Sequence, residues 1–166
     1  PLGAQSAPPV STGHAVASAR ATWAQLTGYI TMAAEQMPEK KYAFRPSPKV
    51  RTFGQLIGHV AGAQHMICAS ALGEPQQSED NIEKNVTTKA GLIAALKSST
   101  EYCNRAYAQT DAQAGAETTI FGQKQPRIYS LIVNASHNGE HYGNLVTYLR
   151  INDMVPPSSQ PAPPRQ

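Results

Sequence analysis

The 166-residue sequence has few charges, few aromatic residues and no long apolar run, and these shortages exclude several classes of protein. Lys and Arg total 14 against 11 Asp and Glu, and they are scattered, so the chain lacks the concentrated basic face of a nucleic-acid binder. No apolar stretch approaches the roughly 18 residues of a membrane-spanning helix. With 40% hydrophobic residues, the chain is nevertheless too apolar to be disordered throughout. The composition therefore predicts one globular domain with a buried core.

Cysteine is also scarce, since only Cys68 and Cys103 are present. The pair lacks the CxxC spacing of a redox motif or a zinc knuckle. Two such cysteines either form one disulfide in an oxidising compartment or stay as thiols. We expect buried free thiols here, because free cysteine is among the most buried residue types.

Proline is concentrated at the end of the chain, where a disordered tail is expected. Five of the 13 prolines fall within residues 156–166. A flexible N-terminal segment is predicted over residues 1–14, in which residues 1–3 resemble a cleaved tag and residues 4–9 resemble a mature N-terminus after a signal peptide. That resemblance favours an exported, periplasmic protein over a cytoplasmic one. The folded domain is expected over residues 15–155.

Every long stretch between these ends follows the helical period, and none shows the sustained alternation of a half-buried strand. Four helices are predicted: one over residues 13–37, one over residues 53–72, one after Thr88 and one from Pro126. A capping box at Thr52 marks the start of the second helix. The pattern predicts an all-α protein, a four-helix bundle with long crossover loops.

The predicted connections are unusually long. Residues 38–51, 73–87 and 111–125 separate the helices, whereas bundle loops usually have roughly 2–8 residues. Loops of this length often carry function or cover a cavity. Residues 118–122 are apolar enough to fold back over one end of the bundle.

Two of the five histidines, His137 and His141, lie four residues apart on the predicted fourth helix. Successive helical residues are rotated by about 100°, so both imidazoles can reach one point beside the helix. They lie next to the apolar face, where buried imidazoles without partners are costly and a bound cation would satisfy a nitrogen of each. The pair supplies two of the three protein ligands of an open, catalytic type of metal site.

His59 is the predicted third ligand. It lies in the middle of the second helix, where the small residues within 58–62 allow a neighbouring helix or an ion to approach. His65 is rotated by about 240° from His59 and Cys68 by about 180°, so neither can share an ion with it. We expect His65 at the surface or at an interface, and assign no role to His14 near the chain end.

Glu140 directly precedes His141 and completes the HxxEH spacing of inverted zinc proteases. Those enzymes take a third ligand from a downstream acid, and only Asp153 follows here, which argues against a peptidase. Glu140 is the one candidate for a catalytic residue beside a metal-bound water. It is expected either to support a metal ligand or to face solvent, and Asn134 and Tyr142 are weaker candidates for that supporting role.

Several stretches together resemble the DinB/YfiT-like superfamily, in which one histidine on the second helix and HxxxH on the fourth form the metal signature. The stretches are residues 44–48, 50–51, 54–60, 138–145, 148–150 and 155–157. The resemblance covers about residues 15–157. It implies a four-helix bundle with a long crossover and a divalent metal held by His59, His137 and His141. It also implies a homodimer and a small-molecule substrate, with a low-molecular-weight thiol as co-reactant in a thiol transferase or isomerase.

A divalent ion on three neutral imidazoles keeps open positions, lowers the pKa of bound water or thiol and polarises a substrate oxygen. Imidazole suits Zn²⁺ or Ni²⁺, and the sequence does not select between them. Two functions stay open: a metal-dependent transferase or hydrolase, and a non-catalytic metal-binding or stress-response protein. A third reading, in which the histidines only pack, is disfavoured by the intact ligand set.

Overall fold

The four long helices of the structure are those that the sequence predicts. The computed structural model describes residues 13–161, and within that range a bundle forms in which α2 packs against α4 and α6, and α1 packs against α6. The prediction of a four-helix bundle is confirmed. The elements are α1 (Ala15–Gln36), α2 (Phe53–Leu72), α3 (Asp80–Asn85), α4 (Lys89–Ala106), α5 (Asp111–Ala114), β1 (Glu117–Ile120), β2 (Gln123–Pro126) and α6 (Arg127–Ile151), with short 3₁₀ turns at Glu39–Lys41 and Pro157–Ser159.

The predicted capping box fixes the start of α2. The Thr52 hydroxyl accepts a hydrogen bond from the Gln55 amide at 3.2 Å, and the Thr52 amide donates to the Gln55 side chain at 2.8 Å. These two bonds satisfy backbone and side-chain groups at the helix start. At the other end, Gly73 adopts a φ of 72°, the left-handed conformation that commonly ends a helix.

The third connection contains a β-hairpin, so the expectation of a chain without strands is wrong at this point. Strands β1 and β2 pair in antiparallel register, and Phe121 and Gly122 form the two-residue turn with φ of 50° and 75°. Such turns match the twist of paired strands. Four residues of alternation are too few to give a clear strand signal in the sequence.

The hairpin lies on the C-terminal part of α2. The Ser70 hydroxyl donates to the Thr119 carbonyl at 3.0 Å, and the Thr118 hydroxyl donates to the Ser70 carbonyl at 2.7 Å. Ile120 is buried beneath the hairpin, whereas Phe121 is exposed at its tip. The prediction that residues 118–122 fold back on the bundle is confirmed.

Cys68 and Cys103 form a disulfide between α2 and α4, which corrects the expectation of free thiols. The two helices pack side by side and bring the Cα atoms to 5.3 Å, within the range that a disulfide requires. Both residues are completely buried. The sequence alone could not reveal this pairing, because it depends on which faces of the two helices meet.

The start of the predicted C-terminal tail is also corrected, because residues 156–160 contact the bundle. The Tyr142 hydroxyl accepts from the Ser158 amide and donates to the Ser158 hydroxyl, both at 2.8 Å. Pro157 is buried next to this contact. The rest of the predicted tail and most of the predicted N-terminal segment, with its tag and cleavage resemblances, lie outside the described residues. Among residues 13–161, no helix combines the length and apolar composition needed to cross a membrane.

Candidate metal centre

The side chains of His59, His137 and His141 meet between α2 and α6. The His137 Nε2 atom lies 3.2 Å from His59 Nε2 and 3.1 Å from His141 Nε2. One ring nitrogen of each histidine lies within 4.8 Å of those of the other two. Tetrahedral ligands at about 2 Å from one zinc ion are roughly 3.3 Å apart, so this spacing suits a shared ion. The structure thus brings together the three side chains selected from the sequence.

A buried amide network keeps α2 and α6 in the register that this convergence needs. The side-chain oxygen Oε1 of Gln64, on α2, accepts from the Asn138 side chain on α6 at 2.9 Å and from the Trp23 indole on α1 at 2.8 Å. The side-chain nitrogen Nε2 of Gln64 donates to the Ser99 hydroxyl on α4 at 3.1 Å. Gln64 and Asn138 are fully buried, and polar groups in such positions depend on their partners. Asn138 is adjacent to His137, so the network holds α6 in place beside the cluster.

Burial keeps the three rings in the neutral form that binds metals. Only 6% of His59 and 7% of His141 is exposed. Desolvation is the main cause that lowers the pKa of His137 to about 3 and that of His59 to about 4, and it also lowers the pKa of His141. The neighbouring imidazoles reinforce the effect at His137 and His59. A neutral imidazole carries one N–H and one lone pair, so three of them can offer three lone pairs to one cation.

The small residues around His59 admit the short helix α3. A Cβ atom at Gly62 would lie 1.9 Å from the Glu79 carbonyl oxygen, and one at Gly58 would lie 2.9 Å from the Glu83 Cα. Both distances are shorter than real Cβ contacts allow. The glycines therefore let the second long connection lie directly on the α2 backbone beside His59.

This close approach brings a carboxylate to the cluster that the sequence did not single out. Glu83 Oε2 lies 3.7 Å from the Nδ1 atom of His59, and Glu83 Oε1 lies 3.0 Å from the Nε atom of Arg51. His59 Nδ1 is buried without a hydrogen-bond partner among the described residues. The only sequence signal was the length of the connection, because several acids share that segment and none has a distinctive spacing.

The supporting residues proposed from the sequence lie elsewhere. Glu140 is exposed at the edge of the site, although its negative charge partly opposes the lowering of the His141 pKa that burial causes. The Asn134 amide lies 3.4 Å from the Cys68 sulfur and 3.3 Å from the Tyr107 hydroxyl. Tyr142 anchors the C-terminal segment. The proposal that Asn134 or Tyr142 supports a metal ligand is therefore wrong, because a one-turn spacing on a helix does not specify which neighbouring helix a side chain meets.

The two remaining histidines are separate from the cluster. The His65 ring stacks on Tyr102 of α4, with ring centroids 4.1 Å apart, and is partly exposed. His14 is exposed just before α1. The placement of His65 agrees with the rotation argument made from the sequence, and no role was assigned to His14.

An open cleft gives access to the cluster. Its volume is about 710 Å³, and His141 forms part of its wall together with Arg51, Glu83 and Glu140. The Asn144 amide, also at the cleft, lies 3.4 Å from His141 Nδ1. A cleft of this volume admits a small organic molecule.

The chain is therefore a helical bundle in which three histidines from two helices converge on a candidate metal centre. The chain belongs to the DinB superfamily, whose family model matches residues 19–145. The matched region contains all three histidines, and the resemblance seen in the sequence is confirmed. No curated protein matches the sequence.

Solved structures of similar fold include two DinB-like proteins from Bacillus species. The protein from Bacillus cereus ATCC 10987 has a TM-score of 0.73 at 15% identity, over 85% of this chain and 95% of that one. The protein from Bacillus subtilis, YjoA, has a TM-score of 0.68 at 20% identity, over 87% of this chain and 99% of that one. A mycothiol-dependent maleylpyruvate isomerase has a TM-score of 0.62 at 14% identity, over 81% of this chain and 66% of that one. At such identities the likeness concerns the fold alone.

Proposed function

We propose that the chain binds one divalent metal ion, zinc or nickel, through His59, His137 and His141, and uses it as a thiol transferase or hydrolase acting on a small molecule. The convergence of three neutral imidazoles on one point, His59 and His141 buried and His137 partly buried, supports the proposal most strongly. Without a cation, three ring nitrogens directed at each other cannot all be satisfied. Each nitrogen of a neutral ring either donates one proton or offers one lone pair, so only one donor–acceptor pair can form among three such atoms.

When bound, the ion would supply Lewis acidity and lower the pKa of a coordinated thiol or water. The chain's own residues would support the metal ligands and admit the substrate. Glu83 lies 3.7 Å from His59 Nδ1, near enough for its charge to favour an N–H at that atom, and it is itself paired with Arg51. Carboxylates beside metal-bound histidines commonly fix the tautomer and ring orientation. The cleft at His141 provides a route for the substrate.

A thiol is the proposed co-reactant. The support is the shared fold with the mycothiol-dependent isomerase, combined with a histidine set that suits thiolate chemistry on zinc. The hydrolase alternative uses the same site with water as nucleophile.

The test combines metal analysis with an activity panel. The purified chain is loaded with zinc or nickel, dialysed and analysed for metal, beside His137→Ala and the matched control His65→Ala, which removes a histidine outside the cluster. We expect one ion per chain in the parent and the control, and none in His137→Ala. The loaded protein should then transfer small thiols to electrophiles or hydrolyse small esters. Metal binding without either activity would refute the enzyme and leave a metal-binding protein, and equal metal content in all three proteins would refute the site.

We also propose that the chain folds in an oxidising compartment such as the periplasm. The disulfide between Cys68 and Cys103 supports this location, because disulfides are rare in reducing compartments. Fractionation of producing cells, with the native chain detected by antibody, tests it: recovery in the cytoplasm alone would contradict the proposal.

A further inference from the structure

The cleft beside the histidine cluster presents an arginine that the protein uses only in part. Arg51 bonds Glu83 through its Nε atom, at 3.0 and 3.1 Å from the two carboxylate oxygens. Within residues 13–161, its terminal nitrogens Nη1 and Nη2 make no hydrogen bond to the protein. The Arg51 side chain is 40% exposed and forms part of the cleft wall.

Two contacts position Arg51, one at its backbone and one at its side chain. The backbone carbonyl accepts a hydrogen bond from the Tyr148 hydroxyl at 2.6 Å, and Nε of the guanidinium donates to Glu83. Its positive charge also reaches the cluster: after burial, Arg51 is a further cause of the lowered pKa of His59, His137 and His141. A cation paired through Nε with Glu83 therefore lies at the cleft wall, near enough for its charge to affect the three rings.

We propose that Arg51 binds the carboxylate of a small-molecule ligand in this cleft, through its terminal nitrogens, while the other end of the ligand faces the histidine cluster. The inference rests on the proposed function, since it places the ligand beside the metal site. A planar guanidinium pairs with a carboxylate through two parallel hydrogen bonds, which gives both affinity and orientation. The substrate class is thus a small carboxylic acid, or a thiol that carries a carboxylate.

The other charges of the cleft leave room for such an anion. The two cations of the cleft, Arg51 and Lys49, balance its two carboxylates, Glu83 and Glu140, and Glu140 is exposed, where water and salt screen its charge. A divalent ion on three neutral imidazoles would increase the positive potential further.

Calorimetry on the zinc-loaded protein tests the inference with two thiols of similar size, 3-mercaptopropionate and 3-mercapto-1-propanol. We expect the parent to bind 3-mercaptopropionate at least about tenfold more tightly than 3-mercapto-1-propanol, because a hydrogen bond to a charged group contributes at least that much to affinity. The comparison is made in a matched pair, Glu83→Gln and the double variant Glu83→Gln with Arg51→Met, so that no unpaired glutamate is left. The preference for 3-mercaptopropionate should persist in Glu83→Gln, because a glutamine oxygen can still accept from Arg51 Nε, and it should disappear in the double variant. Arg45→Met, which removes a cation of the same loop outside the cleft, should keep it.

Zinc content, measured on each sample, separates the two levels of the proposal. If the parent holds one zinc per chain but shows no preference, or if the double variant keeps the preference, the role of Arg51 is refuted and the metal site stands. If the parent holds no zinc, the proposed function fails, and the inference fails with it.

Discussion

Single side chains determine whether the cluster can accept a cation near neutral pH. His59, His137 and His141 are recognisable in the sequence, because a four-residue spacing on one helix and a central position on another are local patterns. Glu83 and Arg51 are not recognisable in the same way. They come from two different connections between the long helices, and neither a loop nor a helix as short as α3 has enough periodicity to reveal which way a side chain points.

The lowered pKa values predict an acid-sensitive fold in the absence of metal. Unfolded histidines titrate near pH 6.5, whereas burial lowers the pKa of His59 to about 4 and that of His137 to about 3 in the folded chain. Between pH 6.5 and these lowered pKa values, the unfolded chain binds more protons than the folded chain. The free energy of unfolding therefore falls as the pH falls from about 6.5 towards 4. Urea unfolding in the presence of a chelator should show this slope, and the variant His59→Gln with His137→Gln should reduce it. An unchanged slope in the variant would contradict the assignment.

Glu83 is expected to strengthen metal binding through His59. Glu83→Gln removes the charge that lies 3.7 Å from His59 Nδ1 and should weaken zinc affinity about tenfold, the usual range for carboxylates behind a histidine ligand. Competition with a fluorescent chelator measures the affinity. Glu140→Gln is the matched control, because Glu140 neighbours His141 in sequence but is exposed. Equal losses of zinc affinity in both variants would contradict a specific role of Glu83, because they would show that only the total charge near the site matters.

The helices and their ends were largely predictable, whereas the connections between them were not. Thr52, Gly73 and Pro126 are local signals of helix ends, and each lies at the boundary of a helix in the structure. Helix α3 and the hairpin of β1 and β2 depend on the surface that the bundle offers them. Short segments of this kind are stabilised by tertiary contacts more than by their own propensity.

The close packing of α3 on α2 predicts a steric difference between two glycines. Gly62→Ala places a methyl group against the Glu79 carbonyl and should lower the free energy of unfolding by about 1–3 kcal/mol. Gly28→Ala, the same change in α1 with nothing within 4 Å of the added carbon, should raise it by up to about 1 kcal/mol. Urea denaturation of both variants measures the difference. Similar values for the two would mean that α3 does not lie on α2 as described.

The whole bundle follows from the helical period of the sequence, but the cross-link within it does not. Periodicity shows that a helix has a buried face, and it does not show which helix that face meets. Cys68 and Cys103 therefore could be placed in the core from the sequence, but could not be paired. The predicted homodimer stays a prediction.

The disulfide should contribute strongly to global stability. It closes a loop of 35 residues, for which chain entropy predicts about 2–4 kcal/mol. Guanidinium unfolding of the parent and of Cys68→Ser with Cys103→Ser should differ by that amount, while mass spectrometry after alkylation reports the state of the thiols. Two alkylated thiols in the unreduced parent would contradict the cross-link.

Anomalous X-ray diffraction from zinc-soaked crystals, recorded on both sides of the zinc absorption edge, tests the metal site most directly. We predict one anomalous peak per chain, at about 2.0–2.1 Å from the Nε2 atoms of His59, His137 and His141. A peak held by any other set of side chains, or no peak between α2 and α6, would contradict the assignment.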